Sequence, residues 1–334
     1  MDGGREWKDN EGWVLEKNRF FRLFPRQDRM VEQYTSGNHD IGISTGIQRS
    51  VYERFRRSFG PLSAIHPLAH NHSLVVLDTV ALTSADELIR LEALQVLAQW
   101  HPQSAASLTP DSAAQQTMLV SHVPLYRPDQ TSCGPLRTQS RPSIYQRYGY
   151  QYQNLLEAPL TTKLLEFVQP DLVFSGDDHD FCQVTHDYRG TGAKQRQATE
   201  YTVPTFSMAQ GVRRPGYMLV QAMPDQLAPQ LCWLPDQLRI YMVYGWAALA
   251  TLLCLLGSRF WAGHDRTNRA VRLDRLKRDD DDADDVLPTA NPASSSAQPI
   301  PKQPHMALFL STARDLQQVA IVAVPFYIFC ILCL

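Results

Sequence analysis

The sequence of 334 residues predicts an α/β layered domain followed by two transmembrane helices. β-Branched apolar runs alternate with helical patterns through residues 1–237, as expected of strands and helices packed in layers. Two long apolar runs follow at 238–257 and 317–334, and the first is long enough, at about 1.5 Å per residue, to cross a bilayer. The second run has an alternative interpretation as a buried core helix. The formal charge of -2 argues against nucleic acid as the main partner.

The elements of the first 237 residues follow from local patterns. A capping box, SADE at 84–87, predicts a helix that extends to Trp100 and carries a row of leucines on one face, Leu88, Leu91, Leu94 and Leu97. LTTKLLEFV at 160–168 predicts a second helix. The predicted strands are HSLVVLDTV at 72–80, TMLVSH at 117–122 and DLVFSG at 171–176, with ATEYTVPTFSMA and GYMLVQAM as later antiparallel strands.

Polar clusters occupy three strand-end positions, where ligands collect in α/β folds. The clusters are SGNHDIG at 36–42, SHVPLYR at 121–127 and SGDDHD at 175–180. In the third cluster three aspartates surround His179, and neighbouring carboxylates raise each other's proton affinity unless a cation neutralises them. The donors suited to Mn, Fe or Zn are Asn38, His122, Asp177 and His179. Taken singly, each cluster could also be an ordinary polar turn or strand end.

Three motifs in order resemble the third, fourth and fifth motifs of the calcineurin-like metallophosphoesterases: GNHD, H-x-P and an ending G-x-x-H. The resemblance covers residues 1 to about 220. MDGGREW, NHSLVVLDT, SGDDHDFC and SMAQGVRRPGY resemble a narrower branch, the membrane-bound phosphoesterases of the endoplasmic reticulum that remove ethanolamine phosphate from GPI anchors. The resemblance implies a layered metallophosphoesterase sandwich in the endoplasmic reticulum or early Golgi membrane. Its partners would be the GPI-anchor lipid or GPI-anchored proteins.

The resemblance also implies a site with two divalent metal ions of the Mn²⁺ kind. Asn38 and His122 would bind one metal together with Asp177, which stands where most of the superfamily has the first His of G-H-x-H. His179 would bind the other metal.

Four further residues receive roles by the same resemblance. His39 would contact the phosphate and protonate the leaving alkoxide, and Asp40 would orient its ring. Arg213 and Arg214 are candidate phosphate contacts, with a structural role at the outer rim as the alternative.

The sequence departs from the family at its beginning. The family opens with D-x-H and G-D-x-x-D, and neither motif is present whole, although Asp2 resembles the last Asp of the second. We therefore expect the chain to begin inside the domain, without its first strands and with one metal site incomplete. Two other functions stay open: a catalytically inactive homologue that acts as a binding or scaffold protein, and a phosphatase for soluble nucleotides or phosphoproteins, which the apolar runs disfavour.

Charge asymmetry predicts the topology. Seven basic residues lie in 259–278, so the positive-inside rule places the loop 258–316 in the cytosol and residues 1–237 in the lumen. The acidic and Pro/Ser-rich stretch 279–305 is expected to be a disordered linker. Asn71 in NHS is a lumenal N-glycosylation acceptor, and the lumenal cysteines Cys133, Cys182 and Cys232 allow one disulfide of unassigned pairing.

Overall fold

The computed structural model describes residues 4–6, 10–101, 115–149, 152–281 and 317. The chain divides into two compact units, Met1–Gln237 and Leu238–Leu334. The helices are α1 (Asn10–Leu23), α2 (Asn38–Ile41), α3 (Arg49–Phe59), α4 (Thr79–Leu82), α5 (Glu87–Gln99), α6 (Ala158–Val168) and α7 (Gln237–Asp281). The strands are β1 (Ala64–Pro67), β2 (Ser73–Val76), β3 (Thr117–Val120), β4 (Tyr148–Gly149), β5 (Tyr152–Gln153), β6 (Leu172–Ser175), β7 (Cys182–Arg189), β8 (Gln195–Thr202), β9 (Gly216–Ala222) and β10 (Leu227–Trp233).

A six-stranded mixed sheet, in the order β1-β2-β3-β6-β8-β7, forms the centre of the first unit. Its four inner strands run parallel, and the edge strands β1 and β7 are antiparallel to their neighbours. Val76 pairs with Val120, and Val120 pairs with Phe174, so β2, β3 and β6 end at the same level. The segments that follow these three strands therefore leave the sheet at one edge.

The two faces of the sheet are covered differently, as the alternation of side chains along a strand requires. Leu119 and Val173, both fully buried, face the helices, whose residues share one large apolar core with them. Their neighbours on the same strands, Met118 before Leu119 and Phe174 after Val173, face the ribbon formed by β9 and β10. The domain is therefore a sheet with helices on one face and a β-ribbon on the other, which confirms the predicted α/β layers.

Two details of the predicted elements are wrong. The strands predicted near 198–209 and 216–223 do not pair with each other: β8 lies between β6 and β7 in the central sheet, whereas β9 pairs with β10. The predicted helix of residues 84–100 exists as α5, but its N-cap is Asp86, whose side chain accepts the Leu88 N–H. Leu88, Leu91 and Leu94 of its leucine row are exposed and Leu97 is half-buried against the core, whereas Ile89 and Ala93 are buried.

The second unit begins as one long apolar helix. α7 continues from Gln237 to Asp281 without ending at residue 257, where the sequence predicted a loop. The basic segment has no proline and adds a helix-compatible ion pair, Asp265 to Arg269 at 3.2 Å. Within the described residues, α7 is the one helix long and apolar enough to cross a membrane, with a mean hydropathy of 1.8 over its most apolar 18 residues. The second predicted span, 317–334, and most of the linker 279–305 lie outside the described residues.

Candidate metal centre

Three of the four predicted metal ligands lie together at the sheet edge where β3 and β6 end. His122 Nε2 lies 3.2 Å from Asn38 Oδ1 and 3.5 Å from Asp177 Oδ1. Asn38 is only 3% exposed. An amide oxygen, an imidazole nitrogen and a carboxylate oxygen therefore converge from three separate segments of the chain.

Local backbone structure brings these side chains into position. Asn38 opens the short helix α2, and its neighbour Gly37 donates its N–H to Asp40 Oδ2 at 2.9 Å. Gly176, which precedes Asp177, donates its N–H to the His122 carbonyl at 2.8 Å and so joins the two strand-end loops directly. Asp177 itself adopts a φ of 60°. The loops converge because backbone bonds connect them, in addition to the parallel strands below.

The donor set fits a divalent metal ion. Ligand atoms about 2.1 Å from one Mn²⁺, Fe²⁺ or Zn²⁺ ion lie about 3.0 to 3.4 Å from each other, depending on coordination geometry. The distance from His122 Nε2 to Asn38 Oδ1, 3.2 Å, lies within this range, and the distance to Asp177 Oδ1, 3.5 Å, lies just above it. The donor types and spacing therefore fit one divalent ion, and the assignment of Asn38, His122 and Asp177 as its ligands stays a prediction.

The second predicted metal position has fewer donors. His179 is half-buried and has a φ of 70°, and its carbonyl accepts the Thr205 N–H at 2.8 Å. Among the described residues, no group of three or more His, Cys, Asp and Glu side chains has metal-binding geometry. His179 is thus the single donor that the sequence assigned to this position.

The predicted catalytic residues adjoin the centre. His39 is exposed at the surface of α2, and its backbone N–H donates to Asn38 Oδ1 at 3.1 Å. Asp40 is half-buried and caps the start of α2 by accepting the Gly37 N–H. His39 is therefore accessible to a substrate at the position next to a metal ligand.

The other two aspartates of the SGDDHD cluster have structural partners. Asp178 accepts two bonds from Arg137, at 2.6 and 3.2 Å. Asp180 is fully buried and accepts the backbone N–H groups of Thr138 and Gln139 at 2.8 and 2.7 Å. Protein groups therefore satisfy these two carboxylates, and a metal-ligand role stays a prediction for Asp177.

The remaining predicted residues lie on loops. Arg213 is exposed and donates to Asp236 at 2.6 Å, an ion pair of the kind expected from the alternative structural role. Arg214 is exposed beside it, on the same loop before β9. Asn71 is exposed in the turn between β1 and β2, with a φ of 62°.

A buried ionic network beneath the centre was missed by the sequence analysis. Glu200, on β8, is fully buried and lies 2.8 Å from Arg127 and 2.6 Å from His186. Its other oxygen accepts the Ser175 hydroxyl at 2.6 Å and the Leu125 N–H at 3.1 Å. Burial alone would raise the pKa of Glu200, but Arg127 and the hydrogen bonds together lower it. The carboxylate therefore stays ionised and connects the loops after β3 and β6.

A second buried carboxyl supports the Asn38 segment. Asp78, at the end of β2, accepts the Ser36 hydroxyl at 2.8 Å and the Ala81 N–H at 2.9 Å. Its own N–H donates to Ser63 at 2.9 Å. Burial raises the pKa of Asp78 to about 7, even though these hydrogen bonds lower it. The only sequence signal for this role is the position of Asp78 after a buried strand.

One disulfide bond holds the long loop beside the centre. Cys133 and Cys182 are bonded with an S–S length of 2.00 Å, which assigns the pairing that the sequence left open. Cys232 is free. The disulfide links the loop that carries Arg137 and Thr138 to Cys182, the first residue of β7. Cys182 lies two positions after Asp180. The backbone around the metal ligands is therefore restrained from both sides.

Gly37→Ala should weaken divalent metal binding by roughly tenfold. A Cβ at this position would lie 3.1 Å from His122 Cε1 and 3.2 Å from Nε2, so the ring would have to move away from Asn38. A tenfold change corresponds to about 1.4 kcal/mol. Calorimetric titration of the detergent-solubilised chain with Mn²⁺ measures the effect. Gly263→Ala is the control, because its added Cβ meets nothing within 4 Å, and equal affinities for the two variants would contradict the expectation.

Asp78→Asn should stabilise the chain at higher pH. Because burial raises the folded-state pKa of Asp78 to about 7 from 3.8, its contribution to stability is complete below about 3.8 and is lost as the pH rises through about 7. Asparagine stays neutral at every pH. The difference in melting temperature, variant minus wild type, should therefore rise by a few degrees between about pH 5 and pH 8. Asp28→Asn, on an exposed residue, is the control. If the melting temperatures of the wild type and of Asp78→Asn change equally with pH, this expectation is wrong.

Comparisons with known proteins agree with the resemblance seen in the motifs. The chain is 30% identical to Cell division control protein 1 of Saccharomyces cerevisiae, over 98% of this chain and 68% of that protein. It is 26% identical to Metallophosphoesterase 1 of Gallus gallus, over 78% of this chain and 65% of that protein, and 24% identical to the Mus musculus protein of the same name. The chain thus spans about two thirds of the length of these relatives. No protein-family profile and no solved structure matches it. The chain belongs to the calcineurin-like metallophosphoesterase family, in the GPI-related branch that contains Cell division control protein 1 and Metallophosphoesterase 1.

Proposed function

We propose that this chain is a metal-dependent phosphodiesterase of the endoplasmic reticulum or early Golgi membrane. Its substrate would be the GPI-anchor glycan, from which it would remove ethanolamine phosphate during the maturation and export of GPI-anchored proteins. The observation that carries the proposal is the convergence of Asn38, His122 and Asp177 at one sheet edge, in a chain that belongs to a metallophosphoesterase family.

The chemistry follows from the chain's own side chains. Two divalent ions of the Mn²⁺ kind, when bound, would lower the pKa of water and so supply hydroxide at neutral pH. Asn38, His122 and Asp177 would hold one ion, and His179 would contribute to the other. His39 is exposed beside Asn38. Its imidazole would contact the phosphate and donate a proton to the leaving alkoxide oxygen.

The alternative, a catalytically inactive binding or scaffold protein, has one observation in its favour. The sequence assigns only His179 to the second metal position, and no group of three or more His, Cys, Asp and Glu side chains has metal-binding geometry among the described residues. Such a chain would bind one metal ion without hydrolysing a phosphodiester. Metal affinity and hydrolysis must therefore be measured on the same preparation.

We expect the purified full chain to hydrolyse glycerophosphoethanolamine, a phosphodiester with alkoxide leaving groups, in the presence of Mn²⁺, and His39→Ala to lower kcat by about a hundredfold or more while Mn²⁺ binding is retained. Asp177→Ala should reduce both. His70→Ala, in the exposed turn between β1 and β2, is the control that should change neither. Metal binding without hydrolysis in the wild type would favour the scaffold alternative, and a fully active His39→Ala would remove His39 from the mechanism.

Two features support a lumenal position for residues 1–237. The Cys133–Cys182 bond belongs to the type that persists in oxidising compartments such as the lumen of the endoplasmic reticulum. In addition, the basic residues follow the apolar half of α7 and do not precede it, which favours a cytosolic position for the later half.

The glycosylation acceptor gives a direct test of this topology. Asn71 is exposed in a turn, so a lumenal chain should carry one N-glycan there. Expression in eukaryotic cells should yield a band that N-glycosidase shifts to lower mass, and Asn71→Gln should abolish the shift. Asn18→Gln, outside any acceptor tripeptide, should leave it unchanged. A chain that is membrane-inserted but never glycosylated at Asn71 would count against the lumenal assignment.

A further inference from the structure

A row of exposed apolar side chains crosses the surface of the first unit. We define it as the apolar row of Phe24, Phe206, Tyr217 and Leu219, which are 47%, 58%, 38% and 52% exposed. The ring of Phe206 lies 6.2 Å from that of Phe24 and 6.5 Å from that of Tyr217. Leu219 follows Tyr217 on the same outward face of β9, two residues further along. The row is therefore continuous, and it combines residues from α1's end, the loop after β8 and the ribbon.

The apolar row is connected to the candidate metal centre through one residue. Thr205 precedes Phe206, and its N–H donates to the His179 carbonyl at 2.8 Å. The Thr205 carbonyl in turn accepts the Gly216 N–H at 2.9 Å, at the start of β9. A surface that contacts the apolar row therefore lies beside the loop that carries His179.

The chain's connectivity limits what this row can face. The ribbon pairs Tyr217 with Cys232 and Gly216 with Trp233, so the row occupies the end of the ribbon from which the chain leaves. Three residues separate Trp233 from Gln237, the first residue of α7. An extended chain of this length reaches at most about 14 Å. If α7 crosses the bilayer, as the proposed function requires, this end of the ribbon is held near the membrane surface.

Exposed arginines flank the apolar row. Arg22 and Arg26 lie on either side of Phe24 in the sequence, and Arg214 lies shortly before Tyr217. Arg26 also lies over the Phe21 ring at 4.6 Å. Aromatic side chains concentrate at the headgroup level of membranes, and guanidinium groups donate to phosphate oxygens.

We propose that the apolar row is a bilayer-docking surface, which inserts into the headgroup region of the membrane that α7 crosses and so presents the metal centre to substrates held in that membrane. The proposal rests on the membrane position of the proposed function, but not on catalysis. The occupant is a phospholipid surface rather than a second protein.

Photo-crosslinking of the full chain in vesicles tests the docking directly. p-Benzoylphenylalanine is introduced at position 206 or 24 of the chain, which is reconstituted in phosphatidylcholine and phosphatidylethanolamine vesicles. Phe167 is the control position: it is 47% exposed, equal to Phe24, but it belongs to α6, whose Leu164 and Val168 pack in the core on the opposite face of the sheet from the ribbon. Position 249, within α7, reports insertion of the helix.

We expect lipid adducts at positions 206 and 24 to exceed those at 167 by at least fivefold, as quantified by mass spectrometry of the labelled peptides. Both substituted side chains are exposed, so the aromatic replacement is compatible with folding at either one. Adduct yields at 206 and 24 equal to those at 167, or crosslinks to protein in place of lipid, would overturn the proposal. If position 249 still labels lipid in that case, the docking alone fails; if position 249 does not, the membrane position of the proposed function fails with it.

Discussion

The candidate centre depends on one buried carboxylate. Glu200 has no exposure to solvent, and an unpaired charge at such a position costs several kcal/mol, so its partners must be in place whenever the domain is folded. Two of these partners, Ser175 and the Leu125 N–H, belong to the segments that carry Asp177 and His122. Arg127 supplies the opposite charge from the same segment as Leu125. The requirement to satisfy Glu200 therefore fixes the spacing of the two strand-end loops before any metal binds.

Much of this arrangement could be predicted from the sequence. Parallel buried strands place their carboxyl ends at one edge, so the polar clusters were expected to meet there. The clusters of His122 and Asp177 do follow β3 and β6, but the expected strand before Asn38 is wrong, because no strand lies in the described residues between α1 and α2. Asn38, His122 and Asp177 do meet, because Val120 and Phe174 are in register and Gly176 bonds to the His122 carbonyl. The long apolar start of α7 was equally visible, since its length alone suggests a membrane span.

The features that could not be predicted from the sequence depend mainly on contacts between distant parts of the chain. A run of acidic residues does not reveal which of them finds a partner: Asp178 meets Arg137 and Asp180 meets Thr138, each about 40 positions earlier in the sequence. Similarly, the leucine spacing of α5 is correct for a helix but does not say which face is covered, and the sheet covers Ile89. β7 and β10 were also missed, although each pairs antiparallel with the strand next to it in sequence, β8 and β9.

The same long-range contacts couple the metal centre to the surface of the domain. Thr205 bonds to His179 on one side and to Gly216 at the start of the ribbon on the other. The ribbon in turn packs on the sheet through Met218 and Leu227, beside Phe174 at the end of β6. The ribbon therefore reaches the loop of His179 in two ways, through Thr205 and through the ring of Trp233, which lies 6.5 Å from that of Phe181. Asp177 is restrained separately, because Gly176 beside it donates its N–H to the His122 carbonyl.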